Sequence, residues 1–477
     1  MTTQTNRALS LREWLKRLQD TGRLSVATPG LNLRHQVAAV AQALDGKRAT
    51  LFPEPSGHPV SVISGIVSDR GWMAESMGIA PAALLEHVKR AAAEPLAWQE
   101  VPSEAAPAHE VVHREVDILR QLPVPTHNEH DSGAYITAGI LVSRDPETGI
   151  QNVAIHRCQI SGPDRIGILL LPRHTDHYYR KAEKLGKPLE IAIAIGVSPA
   201  CLLASQAIVP IDHDELEIAG ALGGTALHVV KCLTNDVRVP ADAEIVIEGH
   251  ILPKTRELEG PFGEFPQYYG ERGERHVIHV DAITHRRKPL FHTIVGGGYE
   301  HLLLGAIPRE ATILSTLQRS FPGVVDVHLA MGGVGRYHLY VKLRKTQEGE
   351  GKNVLLGAFA AHYDIKHAVV VDTDVDIHDP REVEWAVATR FQADKDLVVI
   401  ADSQGSKLDP STCDGLGAKM GLDATIRLDA PEMKFKRIHV PGSEDLDLDM
   451  VLAPDARWID TDWTASSLTA KGGATEG

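Results

Sequence analysis

Two glutamates flank a tight turn in the segment LEGPFGE, at Glu259 and Glu264. Proline presets one backbone angle and glycine permits unusual ones, so the turn would hold the two acids at a defined separation. A pair of carboxylates in different environments can divide into a charged electrostatic partner and a protonated donor. On pattern alone, a surface loop with two solvated acids is the more common alternative.

An arginine follows the strand-like run NVAIH. Alternation along a strand puts successive side chains on opposite faces, which separates two sets: Asn152, Ala154 and His156 on one face, and Val153, Ile155 and Arg157 on the other. An arginine among apolar neighbours needs a carboxylate partner. That partner could belong to a structural salt bridge or to a substrate that the guanidinium binds bidentately, and the sequence leaves both possibilities open.

Possible metal ligands occur in two further segments, around His174 and in the acidic stretch that contains Glu215. Ligands of the Asn, His and Glu types suit Mn²⁺ or Mg²⁺ better than Zn²⁺, which prefers cysteine and histidine. The alternative is a solvated helix start, where acidic side chains interact favourably with the positive end of the helix dipole. By spacing alone, this alternative is the more common one.

Composition restricts the class of protein. The 477 residues carry 63 acidic and 49 basic side chains, a net charge of -14, which argues against a nucleic-acid-binding protein. The four cysteines form no CxxC pair, and so few cysteines fit a reducing compartment. The start resembles no signal peptide and no long apolar run occurs, so we expect a cytoplasmic protein without a membrane span.

The pattern of helix-like and strand-like segments along the chain indicates three units and a tail. Residues 1–125 predict an N-terminal α/β unit that opens with a helix capped by Ser10 and Glu13. Short β-branched runs over 126–304 predict an antiparallel barrel or sandwich. Residues 305–465 alternate again and predict a C-terminal α/β unit, and 466–477 predict a frayed tail. The fold class is therefore α+β or α/β.

Several segments come in an order that resembles the UbiD family of decarboxylases: NVAIHR, KCLTND, EGPFGE and GAKMGLDAT. The resemblance runs from the first helix to about residue 430, and it is most specific in EGPFGE together with the upstream NVAIHR. The family acts on ferulate, protocatechuate, gallate and furandicarboxylate, among other acids. It implies a central split β-barrel that binds flavin and a C-terminal domain that mediates oligomerisation, as a homodimer or homohexamer.

The resemblance also implies the cofactor set. The family binds prenylated FMN, which a flavin prenyltransferase supplies, through a Mn²⁺ ion with a K⁺ ion nearby. The metal ligands would be Asn152, His174 and Glu215. The implied cofactor-binding positions are those three and Val153, Ala154, Ile155, His156, Arg157, Arg173 and Ser205.

The catalytic residues implied by the resemblance are Arg157, Glu259 and Glu264, with Glu264 as proton donor and the Arg157/Glu259 pair orienting the substrate carboxylate. The implied reaction is reversible, non-oxidative decarboxylation of an aromatic or heteroaromatic acid. Members that act on cinnamic acids have a glutamate where this chain has Leu233, so phenylacrylates are less expected. Two alternatives stay open: an FMN-dependent oxidoreductase of split-barrel type, and a non-catalytic subunit of a carboxylase complex.

Overall fold

The structure is a computed structural model that describes residues 7–443, 445–452, 457–458 and 468–469. The chain divides into a large unit, Met1–Thr425, and a small unit, Ile426–Gly477. The predicted boundaries at 125 and 304 both fall inside the large unit and stay predictions. The predicted tail over 466–477 lies outside the described residues except for Leu468–Thr469.

The first helix has the predicted capping box. The Ser10 hydroxyl accepts a hydrogen bond from the Glu13 N–H, and the Glu13 carboxylate accepts one from the Ser10 N–H at 2.9 Å. Trp14 and Leu18, on the inner face, are fully buried. The helices of this region are α1 (Leu11–Asp20), α2 (Gln36–Leu44), α3 (Arg70–Ser76), α4 (Leu84–Ala93) and α5 (Ile118–Gln121).

A four-stranded mixed sheet combines the start of the chain with a much later strand. The strands of the first part are β1 (Leu24–Val26), β2 (Ala49–Phe52), β3 (Ser61–Ser64), β4 (Gln99–Glu100) and β5 (Val111–His113), and β18 is Leu290–His292. The order of the four-stranded sheet is β1-β2-β3-β18, and β18 pairs in parallel with β3. A strand from a distant part of the chain, β18, therefore completes the sheet of the N-terminal segment.

The centre of the chain forms a nine-stranded antiparallel sheet of order β6-β9-β10-β17-β14-β11-β7-β8, with β5 also on β17. Its other strands are β6 (Tyr135–Ile136), β7 (Ile140–Arg144), β8 (Gln151–Ile155), β9 (Cys158–Gly162), β10 (Arg165–Ile168), β11 (Leu189–Ile195), β14 (Ile245–Glu259) and β17 (Gly273–His285). Smaller sheets pair β4, β12 (His228–Lys231) and β13 (Arg238–Pro240), and β15 (Phe262–Gly263) with β16 (Tyr269–Gly270).

The nine-stranded sheet curls without closing. Only His156 and Arg157 connect β8, at one end of the ladder, to β9, near the other end. Three Cα–Cα steps span at most about 11 Å, so the two ends must approach each other. Among the described strands, however, no hydrogen-bonded pairing joins β8 to β6 or β9. The fold is thus mixed α/β with a curled antiparallel sheet, and the finer split-barrel layout stays a prediction.

Two helices pack on this sheet, α6 (His174–Lys184) and α8 (Glu215–Gly223), and α7 (Pro199–Ala204) packs on α8. Farther on, α9 (Tyr299–Ser320) leads into a five-stranded sheet of order β19-β20-β21-β23-β22. Its strands and helices are β19 (Val324–Leu329), β20 (His338–Leu343), α10 (Glu350–Ala361), β21 (His367–Asp372), α11 (Pro380–Arg390), α12 (Ala393–Asp396), β22 (Leu397–Gln404) and β23 (Leu416–Ala424).

The small unit contributes α13 (Leu448–Val451) and the strand pair β24 (Arg457–Trp458) and β25 (Leu468–Thr469). In the part of the chain that the structure describes, no helix combines the length and the apolar character that crossing a bilayer requires.

Candidate active site

Arg157 joins the two glutamates that the sequence singled out. Its Nη2 lies 2.8 Å from Oε2 of Glu259, and its Nη1 pairs with Oε1 of Glu264. The Glu259 side chain is completely buried, and those of Arg157 and Glu264 are 9% and 13% exposed. The alternative of two solvated surface acids is therefore wrong, because both carboxylates lie inside the protein on one guanidinium.

The turn between the glutamates has the tight geometry that the sequence indicates. Glu259 ends β14, Gly260 has a φ of +86°, and the Gly260–Pro261 peptide is cis. A Cβ on Gly260 would lie 2.9 Å from the carbonyl oxygen of Glu271, so only glycine fits there. This geometry returns the chain so that Glu264 meets the same arginine as Glu259.

Gly270 leaves room for the ion pair. It lies on β16 and pairs with Phe262 on β15. A Cβ at Gly270 would lie 2.8 Å from Nη1 of Arg157 and 3.3 Å from Cγ of Glu264. The sequence showed no reason for this glycine, because its closest contact, Arg157, comes from far along the chain.

The strand that carries Arg157 is interrupted. We expected one continuous run in which Arg157 continues the alternation of Val153 and Ile155. Instead, β8 ends at Ile155 and β9 begins at Cys158, so His156 and Arg157 form a connection. The predicted division into faces consequently stops before Arg157, whose direction is set by the two glutamates and by the Phe262 ring, 5.5 Å from its guanidinium carbon.

Sequence reasoning missed the residues that support Glu259. The buried Tyr135 hydroxyl donates toward Oε1 of Glu259 at 3.1 Å and lies 3.1 Å from the side-chain oxygen of Gln159. Asp131 accepts the Gly263 N–H at 2.9 Å and so fixes the turn. No local pattern marks these residues; the register of β6 on β9, which pairs Tyr135 with Gln159, brings them together.

Burial and mutual contact shift the pKa values of Glu264 and Arg157. Desolvation raises the pKa of Glu264, and the Arg157 guanidinium opposes that rise. Burial alone would lower the pKa of Arg157, but Glu264 and Glu259 outweigh it and raise that pKa. The site therefore combines a permanently charged arginine with a carboxyl group that takes up a proton more readily than a free glutamate does.

The predicted metal ligands also come together. Oδ1 of Asn152 lies 3.2 Å from Nδ1 of His174, and Oε2 of Glu215 accepts the Val153 N–H at 2.7 Å. His174 begins α6 and Glu215 begins α8, so two helix starts and β8 converge. Within the described ranges there is no group of three His, Cys, Asp or Glu side chains suited to a metal, so asparagine would be an essential third ligand.

The ligand set fits a divalent cation. Glu215 is 3% exposed, burial raises its pKa to about 8, and the groups that act on its pKa include no cation. A buried carboxyl group of this kind is stabilised by a metal ion, which takes the role of the missing counter-charge. Burial also lowers the pKa of His174, which favours the neutral imidazole that binds metals.

The other predicted cofactor residues lie near this group to different degrees. His156 contacts Thr175 at 3.4 Å, and Ala154 and Ile155 are half-buried on β8. Arg173, just before α6, donates to the Tyr363 hydroxyl at 2.8 Å. The buried Ser205 hydroxyl donates to the Leu202 carbonyl at 2.7 Å and accepts from Nε2 of Gln206 at 3.4 Å.

Three arginines and two histidines gather next to the Glu264 turn, in a group we call the basic cluster: Arg173, His301, Arg309, Arg336 and His362. The Arg336 guanidinium lies 4.9 Å from the ring centre of Phe265, the residue after Glu264. Burial, followed by neighbouring arginines, lowers the pKa of His301 and of His362 to about 3. Both histidines are therefore neutral near neutral pH, and the arginines carry the charge.

Two arginines of the basic cluster, the half-buried Arg309 and the buried Arg336, have no carboxylate partner among the described residues. Arg309 donates to the Gly305 carbonyl at 2.5 Å and Arg336 to the Gly335 carbonyl at 3.2 Å, while Asp364 acts on both only through space. Nε of Arg309 is buried without a hydrogen-bond partner. Burial lowers the pKa of both groups. Guanidinium groups in this state form a site suited to an anion.

Comparisons with known proteins place these features in a family. Residues 99–299 match the family described as "3-octaprenyl-4-hydroxybenzoate carboxy-lyase Rift-related domain", and residues 302–424 match the corresponding C-terminal domain. The UbiD-class enzyme HmfF from Pelotomaculum thermopropionicum, solved in complex with FMN, has a TM-score of 0.92 and 49% identity, covering 93% of this chain and all of that one. An evolved dimeric form of HmfF was solved with prFMN, at a TM-score of 0.87.

Two curated relatives extend the comparison. Anhydromevalonate phosphate decarboxylase from Methanosarcina mazei is 36% identical over 91% of this chain and 100% of its own length. Gallate decarboxylase from Lactiplantibacillus plantarum is 31% identical over 82% of this chain and 86% of its own. The matched domains, the near-complete coverage and the Arg157 site agree with one another: the chain belongs to the UbiD family of carboxy-lyases.

Proposed function

We propose that this protein catalyses the reversible, non-oxidative decarboxylation of an aromatic or heteroaromatic carboxylic acid with prenylated FMN. The observation that carries the proposal is the single buried guanidinium of Arg157 shared by Glu259 and Glu264. Similarity to HmfF and to gallate decarboxylase supports the reaction class. A structural salt bridge would need only one carboxylate on Arg157. Two carboxyl groups on one arginine allow one of them to be charged while the other carries a proton.

The protein's own residues have separate roles in this reaction. The bond between the ring carbon and the carboxylate breaks, CO₂ leaves, and the proton of Glu264 takes its place on that carbon. Arg157 orients the substrate carboxylate and Glu259 by charge-assisted hydrogen bonds. In the reverse direction Glu264 accepts the proton, and a high bicarbonate concentration drives carboxylation.

Prenylated FMN, when bound, supplies the electron sink for the negative charge that develops as CO₂ departs. Asn152, His174 and Glu215 would hold Mn²⁺ and, through it, the flavin phosphate. Strand residues on β8, with His156 and Arg173, would line the flavin, and Ser205 would contact it near K⁺. A flavin prenyltransferase would deliver the cofactor.

The substrate has a second anionic group in this proposal. Arg336 is buried against Phe265, the residue that follows Glu264, Arg309 acts on Arg336 through space, and no described carboxylate bonds to either. The cost of burying two guanidinium groups is offset when a ligand supplies a carboxylate or phosphate. A rigid aromatic diacid places its second carboxylate away from the reacting one; the phosphate named in the Methanosarcina relative is the other anion of suitable chemistry.

Self-association is part of the proposal, as a homodimer or a homohexamer. β22 is an edge strand of the five-stranded sheet, and it exposes Leu397 and, at 64%, Val399. Met420, on the adjacent β23, is also exposed. An apolar sheet edge of this kind suits a subunit contact. We also keep cytoplasmic location as a prediction.

The substitution Glu264→Gln tests the proton-donor role. Co-expressed with a flavin prenyltransferase, the variant should keep the flavin spectrum of the wild type and lose nearly all decarboxylation in a screen of aromatic acids. Glu257→Gln is the matched control, because Glu257 lies on β14, the strand that ends at Glu259, and pairs with Arg165 at the surface. Turnover by Glu264→Gln at the wild-type rate would contradict the assignment.

The two alternatives give different results in the same experiment. Unmodified FMN with an NAD(P)H-dependent activity would identify a flavin oxidoreductase. Wild-type protein that binds no flavin, decarboxylates no acid, and becomes active only within a larger carboxylase complex would identify a non-catalytic subunit. Either result would overturn the proposal.

A further inference from the structure

The phenol of Tyr135 is surrounded by oxygen atoms in a fully buried position. Its hydroxyl lies 3.1 Å from Oε1 of Glu259, 3.1 Å from the side-chain oxygen of Gln159, 3.0 Å from Oγ of Ser132 and 3.4 Å from the Pro261 carbonyl. The ring packs on Phe262 with 4.5 Å between ring centres. One hydroxyl proton therefore faces several acceptors, and the neighbouring donors decide where it goes.

The donors around the Tyr135 hydroxyl indicate that its proton is donated to Glu259. The Gln159 oxygen already accepts the Gly260 N–H at 3.0 Å, which fixes the orientation of the amide. The Ser132 hydroxyl can donate to the phenol oxygen, so the phenol proton is left for the carboxylate, the strongest acceptor present. Burial raises the pKa of Tyr135, and the phenol stays a neutral donor.

Both oxygens of Glu259 are then satisfied, Oε1 by the phenol and Oε2 by Arg157. Glu264 has Arg157 but no second donor of this kind among its hydrogen bonds in the described structure. The additional donor on Glu259 stabilises a negative charge there more than on Glu264, so the geometry favours the proton on Glu264.

We propose that Tyr135 is a positioning residue that directs the proton of the carboxyl pair to Glu264 by holding Glu259 as a carboxylate. The inference goes beyond the proposed function and rests on it only where activity is measured. Without the hydroxyl, Oε1 of the fully buried Glu259 would lose its donor, and Glu259 would take up the proton instead. Arg157 would then pair with a charged Glu264, which cannot protonate the substrate.

The groups that face this pair are few. Arg157, Tyr135 and the thiol of Cys158 act electrostatically with Glu259, and Asp131 acts on Glu264. Cys158 is buried and its pKa is raised by that burial, so it stays a neutral thiol. Tyr135 is thus the donor whose removal changes the pair without removing a charge.

Tyr135→Phe keeps the ring and deletes the hydroxyl. In full-length protein without cofactor, infrared difference spectra locate the protonated carboxyl group directly. In the wild-type background, the spectrum of Glu264→Gln minus that of its parent should show the loss of one protonated-carboxyl band, and Glu259→Gln should leave that band; bands of other carboxyl groups, such as Glu215, cancel in the difference. In the Tyr135→Phe background the assignments should exchange: Glu259→Gln should then remove the band.

Activity gives an independent readout in the loaded enzyme. Tyr135→Phe should lower kcat about tenfold with KM little changed, and Ser132→Ala should have a smaller effect of the same kind. The acid limb of the pH–rate profile should move to higher pH, because Glu259 then competes for the proton. Tyr179→Phe is the matched control, since the buried Tyr179 hydroxyl bonds Glu183 at 2.6 Å outside the site.

The outcomes separate the two hypotheses. If the infrared band follows Glu264 in both backgrounds, Tyr135 does not direct the proton, whatever the activity. A band that exchanges as described, in a protein that decarboxylates no acid, would support the role of Tyr135 and count against the proposed function. A uniform loss of stability in Tyr135→Phe, with an unmoved pH profile, would identify a purely structural tyrosine.

Discussion

At the scale of single residues, environment rather than residue type distinguishes the two glutamates. Glu259 has two donors and no exposure, and Glu264 has one arginine and a pKa raised by burial. The arginines show the same principle, because Arg157 is paired twice whereas Arg309 and Arg336 have no carboxylate among the described residues. A residue's chemistry here follows from which partners the fold supplies or withholds.

Arg309→Met and Arg336→Met test the second anion site at this scale. Each change should lower kcat/KM for a rigid aromatic diacid such as furan-2,5-dicarboxylate about a hundredfold, mostly through KM, because a charge-assisted contact is lost. The rate for furan-2-carboxylate should hardly change. Steady-state kinetics with both acids, and with anhydromevalonate phosphate, measure the preference.

Arg319→Met is the control for these variants, because it lies exposed on the same helix, α9. Thermal unfolding supplies a further check. Replacing a buried arginine that lacks a carboxylate partner should leave the unfolding midpoint equal or higher. A lower midpoint together with equal losses for diacid and monoacid would show that the arginines are structural.

At the scale of secondary-structure elements, the site depends on how closely the strands β15 and β16 approach Arg157. The turn after β14 and the β15–β16 pair form a rigid frame, with Asp131 bonded to Gly263 and glycine at the closest contacts. The frame fixes the distance between the glutamates, which no flexible loop would do. Small changes of side-chain volume in β16 should therefore affect chemistry more than stability.

Gly270→Ala tests that dependence. The added Cβ would lie 2.8 Å from Nη1 of Arg157, so the guanidinium must move away from Glu264. We expect kcat to fall about tenfold or more while prenylated FMN stays bound, because the metal ligands are on other elements. Gly332→Ala, whose Cβ would meet nothing within 4 Å, is the control. Unchanged kcat in Gly270→Ala would show that the ion pair tolerates displacement.

At the scale of the whole molecule, buried neutral histidines make stability sensitive to acid. Burial lowers the pKa of His127 to about 4, from the ordinary value of 6.5, against a weak opposing effect of Asp131. His127 is 5% exposed and bonds Thr293 at 2.7 Å. Between these two pKa values the unfolded chain binds a proton that the folded chain does not, so stability falls as the pH drops below 6.5 and levels off near 4.

His127→Gln should remove part of that acid sensitivity. Between about pH 7.5 and pH 5 the free energy of unfolding of the wild type should fall by on the order of 1–2 kcal/mol because of the His127 ring. The variant lacks the ring, so this part of the decrease should be absent. Thermal unfolding midpoints across this range measure the difference, with the exposed His228→Gln as control. Parallel pH curves for wild type and His127→Gln would contradict the role of His127.

Several features followed from the sequence because their causes are local or lie in an ordered set of motifs. The capping box of α1 joins residues three positions apart, and the turn at Gly260 and Pro261 is encoded by its own residues. The order of NVAIHR and EGPFGE was enough to predict the family and to select Arg157, Glu259 and Glu264. The structure brings these three residues together. Their roles, and those of the cofactor residues, stay proposals.

Only the tertiary structure decided what lies between these motifs. Tyr135 reaches Glu259 because β6 pairs with β9, a register that no short pattern encodes. The break at His156 arises because the sheet must pass from one end of its ladder to the other there. Arg336 comes close to Arg309 because its loop before β20 packs against Leu302, Gly305 and Ala306 of α9. Long-range contacts depend on the burial of many side chains together, so sequence can name the reacting groups but not their surroundings.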